Sequence, residues 1–234
     1  MVIDIIKATH QWNTTEGFIA DGLICPESYK KSNFKIAVLL GESYGYDECG
    51  VTDIERQVSN DILGVHNYKV KTPRKVSALV SLIFESLQKK ELLTREQLPR
   101  LFLGDSANLS RLCEYIKNIA WINVKKASRH YGTRQNPSEI YRNAKRNEEV
   151  LKLQVQSIDP DLMIVCSAPV FNSLFDMKLL GENIQSGKKC KVQVNTSGKY
   201  MIELSHPSYC KDWGYDGLYQ IYKAIVTGVR PELR

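Results

Sequence analysis

The sequence predicts a single α/β domain over residues 1–234, with a central, mainly parallel sheet flanked by helices on both faces. Short apolar runs such as Lys35–Leu40 (KIAVLL) and Leu162–Cys166 (LMIVC) read as buried strands. Segments of helical periodicity lie between them, and strands separated by helices pair in parallel. A chain of 234 residues suits one large domain that buries a sizeable core.

The elements follow in chain order. Lys35–Leu40 forms a strand that ends at Gly41. From about Val76 to Lys90, the apolar positions Leu79, Leu82, Ile83 and Leu87 mark one face of a helix. A second helix runs through Leu109, Leu112, Cys113 and Ile116, followed by a strand over Ile119–Val124. One long, polar-faced helix is expected from about Ser138 to Ser157, then the strand Leu162–Cys166. Cys190–Val194 and Tyr200–Leu204 are two further strands, and a helix through Leu218, Ile221, Tyr222 and Ile225 closes the pattern.

Composition narrows the class. With 43% hydrophobic and 25% charged residues the chain is of ordinary globular type rather than disordered. No apolar run of about 18 residues is present, so no membrane span or membrane partner is expected. The first residues, MVIDIIKATHQW, lack a basic start followed by a long apolar stretch, and are not expected to be a signal peptide. Cys25, Cys49, Cys113, Cys166, Cys190 and Cys210 are dispersed without a C-x-x-C pair, which fits reduced structural thiols in the cytoplasm rather than a metal site. The expected state is a monomer.

A net charge of +6 favours a polyanionic partner only weakly. Its distribution says more. Basic clusters stand at 69–75 (KVKTPRK), 125–134 (KKASRHYGTR), 142–146 (RNAKR) and 188–191 (KKCK). Each taken alone reads as a solvated face.

In parallel sheets the ligand crevice lies beyond the carboxyl ends of the strands. Three loops leave that edge: after Leu40, after Val124 and after Leu204. The first is Gly41-Glu42-Ser43-Tyr44-Gly45, whose glycines allow close backbone approach to a ligand and whose carboxylate follows the strand directly. At the second, Asn123 stands inside an apolar strand end. Its amide either finds core partners or offers a donor and an acceptor side by side to a ligand. The third is Ser205-His206-Pro207-Ser208-Tyr209, where a proline-fixed turn follows the histidine. Each motif in isolation is explained as well by a turn, a satisfied core amide or a structural histidine.

As an ordered set they resemble the uracil-DNA glycosylase superfamily, and specifically its GEAPG-motif branch. Gly41-Glu42-Ser43-Tyr44-Gly45 stands for G-E-x-x-G, Ile122-Asn123-Val124-Lys125-Lys126 for the Asn-bearing strand, Asn136-Pro137 for the segment leading into a long helix, and His206-Pro207-Ser208-Tyr209 for H-P-S-Y. The resemblance covers about residues 35–226. It implies a uracil-DNA glycosylase-like fold that binds DNA, flips out a uracil or modified pyrimidine and hydrolyses its N-glycosidic bond. By the same resemblance Glu42 and His206 are catalytic. Asn123 reads the base edge, with Gly41, Ser43 and Tyr44 around it and Tyr46 or Tyr68 as further stacking candidates. Lys125, Lys126 and Arg129 contact phosphates, and Pro207, Ser208 and Tyr209 press into the DNA groove.

Two departures from the branch have consequences. Its members commonly hold an iron–sulfur cluster on four cysteines, one just after the Asn strand, where this chain has Lys125-Lys126-Ala127-Ser128. Neither a cluster nor any other metal or cofactor is therefore expected. Ser43-Tyr44 replaces Ala-Pro, bringing a ring and a hydroxyl to the pocket mouth and leaving the base open between uracil and a modified pyrimidine.

Two other readings compete. One is a DNA-binding module that keeps the fold without the chemistry. The other is a serine esterase, in which Gly104-Asp105-Ser106 supplies the nucleophile and Glu203-x-x-His206 the acid–histidine pair. Asp105 or Ser106 serves equally well as the N-cap of the helix through Leu109.

Overall fold

A computed structural model describes residues 21–41, 58–59, 62, 71–98, 106–125, 136–185, 188–207 and 211–233. It is an α/β structure built on one mixed sheet of six strands in the order β1-β3-β2-β4-β6-β5. The strands are β1 (Gly22–Leu23), β2 (Ile36–Leu40), β3 (Ile119–Asn123), β4 (Leu162–Cys166), β5 (Val192–Val194) and β6 (Tyr200–Leu204). Pairs β2–β3, β2–β4 and β4–β6 are parallel, whereas the edge strands β1 and β5 run antiparallel to β3 and β6. Both edges modify the expectation of a mainly parallel sheet. β5 reaches β6 through a short turn around Gly198, at φ +75°, with no helix between them, so antiparallel pairing is the available geometry.

The helices are α1 (Pro26–Lys31), α2 (Lys71–Lys89), α3 (Ser106–Ile116), α4 (Pro137–Arg146), α5 (Glu148–Ile158), α6 (Ala168–Asp176) and α7 (Tyr215–Val229). The single helix expected from Ser138 to Ser157 is two. Asn147, at φ −108° and ψ 20°, leaves helical geometry between α4 and α5, and Glu148 and Glu149 open the second helix with acidic groups at its positive end. Asn136-Pro137 starts α4. The Asn136 side chain accepts from the Ser138 N–H at 3.1 Å, and Pro137 occupies a first-turn position that needs no donor.

Side chains alternate across the strands and divide between two apolar clusters. Ile36, Val38, Leu40, Ile119, Trp121, Ile164 and Leu204 pack with residues of α2, α3 and α7. Ala37, Leu39, Ala120, Ile122, Met163, Val165 and Met201 pack with residues of α4, α5 and α6. Among the described residues no helix is long and apolar enough to cross a membrane, and Cys25, Cys113 and Cys166 carry free thiols.

Candidate functional site

Because β2, β3, β4 and β6 are parallel, Gly41, Asn123, Ser167 and Ser205-His206 all leave the sheet at one rim. Leu40 is level with Asn123 in the register. Pairing continues past the strands: the Val124 N–H donates to the Leu40 carbonyl and the Lys125 N–H to the Gly41 carbonyl, each at 2.9 Å. Gly41 is thereby fixed beside Asn123. The exit of β6 lies three strand spacings from β3, roughly 14 Å away.

Asn123 is buried, at 2% exposure. Its backbone N–H and its side-chain Nδ2 both donate to Asp21 Oδ2, at 2.6 and 3.0 Å. Gln154 on α5, also buried, donates from Nε2 to the Asp21 carbonyl at 2.9 Å and to Oδ1 at 3.2 Å. The amide is thus anchored in the protein along one edge, while its oxygen and second hydrogen are not taken by Asp21.

His206 is half-buried. Burial, and secondarily the nearby Lys75 cation, push its pKa down to about 4, so the imidazole is neutral at physiological pH. The chain around it is tied at several points. Trp213 Nε1 donates to the Ser205 carbonyl at 2.8 Å, Ser205 Oγ bonds Asp212 Oδ2 at 3.0 Å, and Lys75 Nζ donates to the Pro207 carbonyl at 2.8 Å. Gly217 permits this arrangement, because a Cβ there would sit 1.8 Å from the Asp212 carbonyl oxygen.

Lys125 differs from the phosphate partner that its sequence context suggests. It is 5% exposed, and its Nζ donates to Glu139 Oε1 at 2.7 Å, linking the end of β3 to the first turn of α4. Pro207 is buried. Glu42, Ser43, Tyr44, Tyr46, Tyr68, Lys126, Arg129, Ser208 and Tyr209 lie outside the described residues.

Sequence reasoning missed several residues at this rim. Asp21 and Gln154 carry no local signal, since their partners are more than a hundred positions away. Lys75 belongs to a basic cluster that reads as a solvated face. Ser167 follows β4 at φ 127° and ψ 148°, a conformation that side chains rarely adopt, and its buried Oγ has no hydrogen-bond partner. Glu203, named from sequence only as the acid of the esterase reading, is buried on β6, where desolvation raises its pKa, and its Oε2 likewise lacks a partner.

No protein-family model matches the chain, and no curated protein matches it.

Proposed function

We propose that this protein is a DNA glycosylase that extrudes a uracil or modified pyrimidine from DNA and hydrolyses its N-glycosidic bond. The fold proposed with it is of the uracil-DNA glycosylase kind, with helices over both faces of the sheet. The observation that carries the reading is the common rim of Gly41, Asn123 and His206 at the carboxyl ends of β2, β3 and β6.

The chemistry fits those groups. A target base is unreachable inside the duplex, so it must leave the stack. Bond cleavage then yields a cationic sugar and an anionic base. A neutral His206 donates an N–H to the base oxygen on which negative charge grows, and its tethered backbone holds that donor in place beforehand. Asn123 reads the base edge. Glu42, the residue after Gly41, is assigned to the sugar cation or the attacking water.

The esterase alternative is weakened by two features. A histidine that takes up a second ring proton only near pH 4 is a poor general base near neutrality, and Glu203 Oε2 has no hydrogen-bond partner with which to orient it.

Incubation with single- and double-stranded oligonucleotides bearing uracil or modified pyrimidines, followed by alkali, tests the reading. Scission at the modified position is expected. Binding without scission on every substrate would leave an inactive DNA-binding module, and absence of both would remove DNA as the partner.

A further inference from the structure

We propose that Asp21 is a positioning residue that fixes the polarity of the Asn123 amide and so restricts the site to pyrimidines with a 4-keto group and a protonated N3. This deepens, and rests on, the reading of Asn123 as the base-recognising residue.

An asparagine amide has two faces of nearly equal shape, and a half-turn about its last bond exchanges donor and acceptor. Pyrimidines exploit that difference. A uracil-type ring presents an acceptor at O4 beside a donor at N3, whereas cytosine presents a donor at its 4-amino group beside an acceptor at N3. A reading amide that turned freely would serve both.

Asp21 removes that freedom. An ionised carboxylate only accepts hydrogen bonds, so the Asn123 atom facing it must be Nδ2, here 3.0 Å from Oδ2. Turning the amide would break this charge-assisted bond and bring Oδ1 against the carboxylate. The same Oδ2 accepts the Asn123 backbone N–H at 2.6 Å, which draws it toward the backbone side of the side chain. The Nδ2 hydrogen used is therefore the one remote from Oδ1. The other hydrogen and Oδ1 remain adjacent, forming a donor–acceptor pair complementary to O4 and N3–H.

Asp21 is itself held. Gln154 Nε2 bonds both its carbonyl and Oδ1, at 2.9 and 3.2 Å. Gly22, at φ +141°, lets the chain turn into β1 beside that amide, where a Cβ would stand 3.2 Å from Gln154 Nε2. β1 then pairs with β3, Gly22 level with Trp121. The short edge strand thus delivers a carboxylate to the end of the strand that bears the reading residue.

The test compares wild type with Asp21→Asn, which keeps the shape but offers a partner that can itself turn. Two measurements are made on protein whose fold is checked by its melting curve. In side-chain amide NMR, the Asn123 Nδ2 protons should shift and lose protection from exchange in the variant. In excision assays on matched oligonucleotides, the ratio of uracil to cytosine kcat/KM should fall about 10-fold or more, a change that merely loosened packing would not produce. Should Asp21→Asn fail to fold, Gln154→Met withdraws one support from Asp21 and should lower the same ratio by roughly 3-fold. Unchanged Asn123 amide signals, or a ratio within a factor of about two of the parent, would overturn the proposal while leaving the glycosylase reading intact. A wild type that excises no base overturns the glycosylase reading and the selectivity with it, and the NMR measurement then still decides whether Asp21 anchors the amide.

Discussion

Lys75 on α2 donates from Nζ to the carbonyl oxygen of Pro207 at 2.8 Å, joining the helix to the turn that carries His206. It is also the nearby charge that, after burial, lowers the His206 pKa. Lys75→Met should therefore act twice. A hydrogen bond from a charged donor contributes roughly 1.5–3 kcal/mol, so excision should slow about 10-fold or more. The His206 ring, followed by NMR titration, should regain some affinity for protons. A parent-like rate together with an unmoved titration would remove Lys75 from the site.

His206→Ala should reduce excision by about 10²-fold or more, the scale for losing one donor to a developing anion. With its pKa near 4, His206 gives no ionisation near pH 6.5 to the wild-type rate profile. An acidic limb at that pH which vanishes in His206→Ala would contradict the neutral-donor assignment.

Stability should also report this histidine. Its folded pKa of about 4 lies below the ordinary value of 6.5, so the unfolded chain binds the proton first as pH falls. The stability present above pH 6.5 is then lost progressively toward pH 4, by up to roughly 3 kcal/mol and by less for a half-buried ring. Denaturant melts of wild type and His206→Gln between pH 4 and 7 should converge or cross as the wild type loses ground. Parallel curves across that window would rule the linkage out.

Ser167→Gly should stabilise the fold. Ser167 holds a glycine-like backbone conformation, a strain of about 1–3 kcal/mol, and buries a hydroxyl without a partner. Glycine relieves both and gives back about 0.5–1 kcal/mol through its more disordered unfolded state. A higher denaturation midpoint is expected, and a lower one would mean that the hydroxyl has a stabilising role.

The strands were legible wherever burial is continuous. Leu162–Cys166 and Tyr200–Leu204 have the same bounds in sequence and structure; the first is a fully apolar run bounded by polar residues, and the second is apolar apart from Glu203 and bounded by Lys199 and Ser205. The break at Asn147 was present as a local signal, an Asn before two acidic residues, but the helical periodicity on both sides concealed it. β1 is two residues long and too short for any periodicity to register. The rim was legible in part: Gly41, Asn123 and His206 stand at strand ends that chain order alone can locate. Their partners were not. Asp21 meets Asn123 across 102 positions and Lys75 meets Pro207 across 132, and such pairings depend on the order of strands in the sheet. Lys125 shows the opposite failure: its basic neighbourhood suggested solvent, whereas Glu139, fourteen positions away, takes its charge inside the fold.

Trp213, Asp212 and Lys75 fasten Ser205–Pro207 from outside that segment. The entropy of ordering this stretch is therefore met when the chain folds, not when a ligand arrives. Under the proposed function, a ligand captured against Ser205–Pro207 meets a segment already in place. Losing one tether would return that ordering cost to the moment of contact and raise the rate of escape.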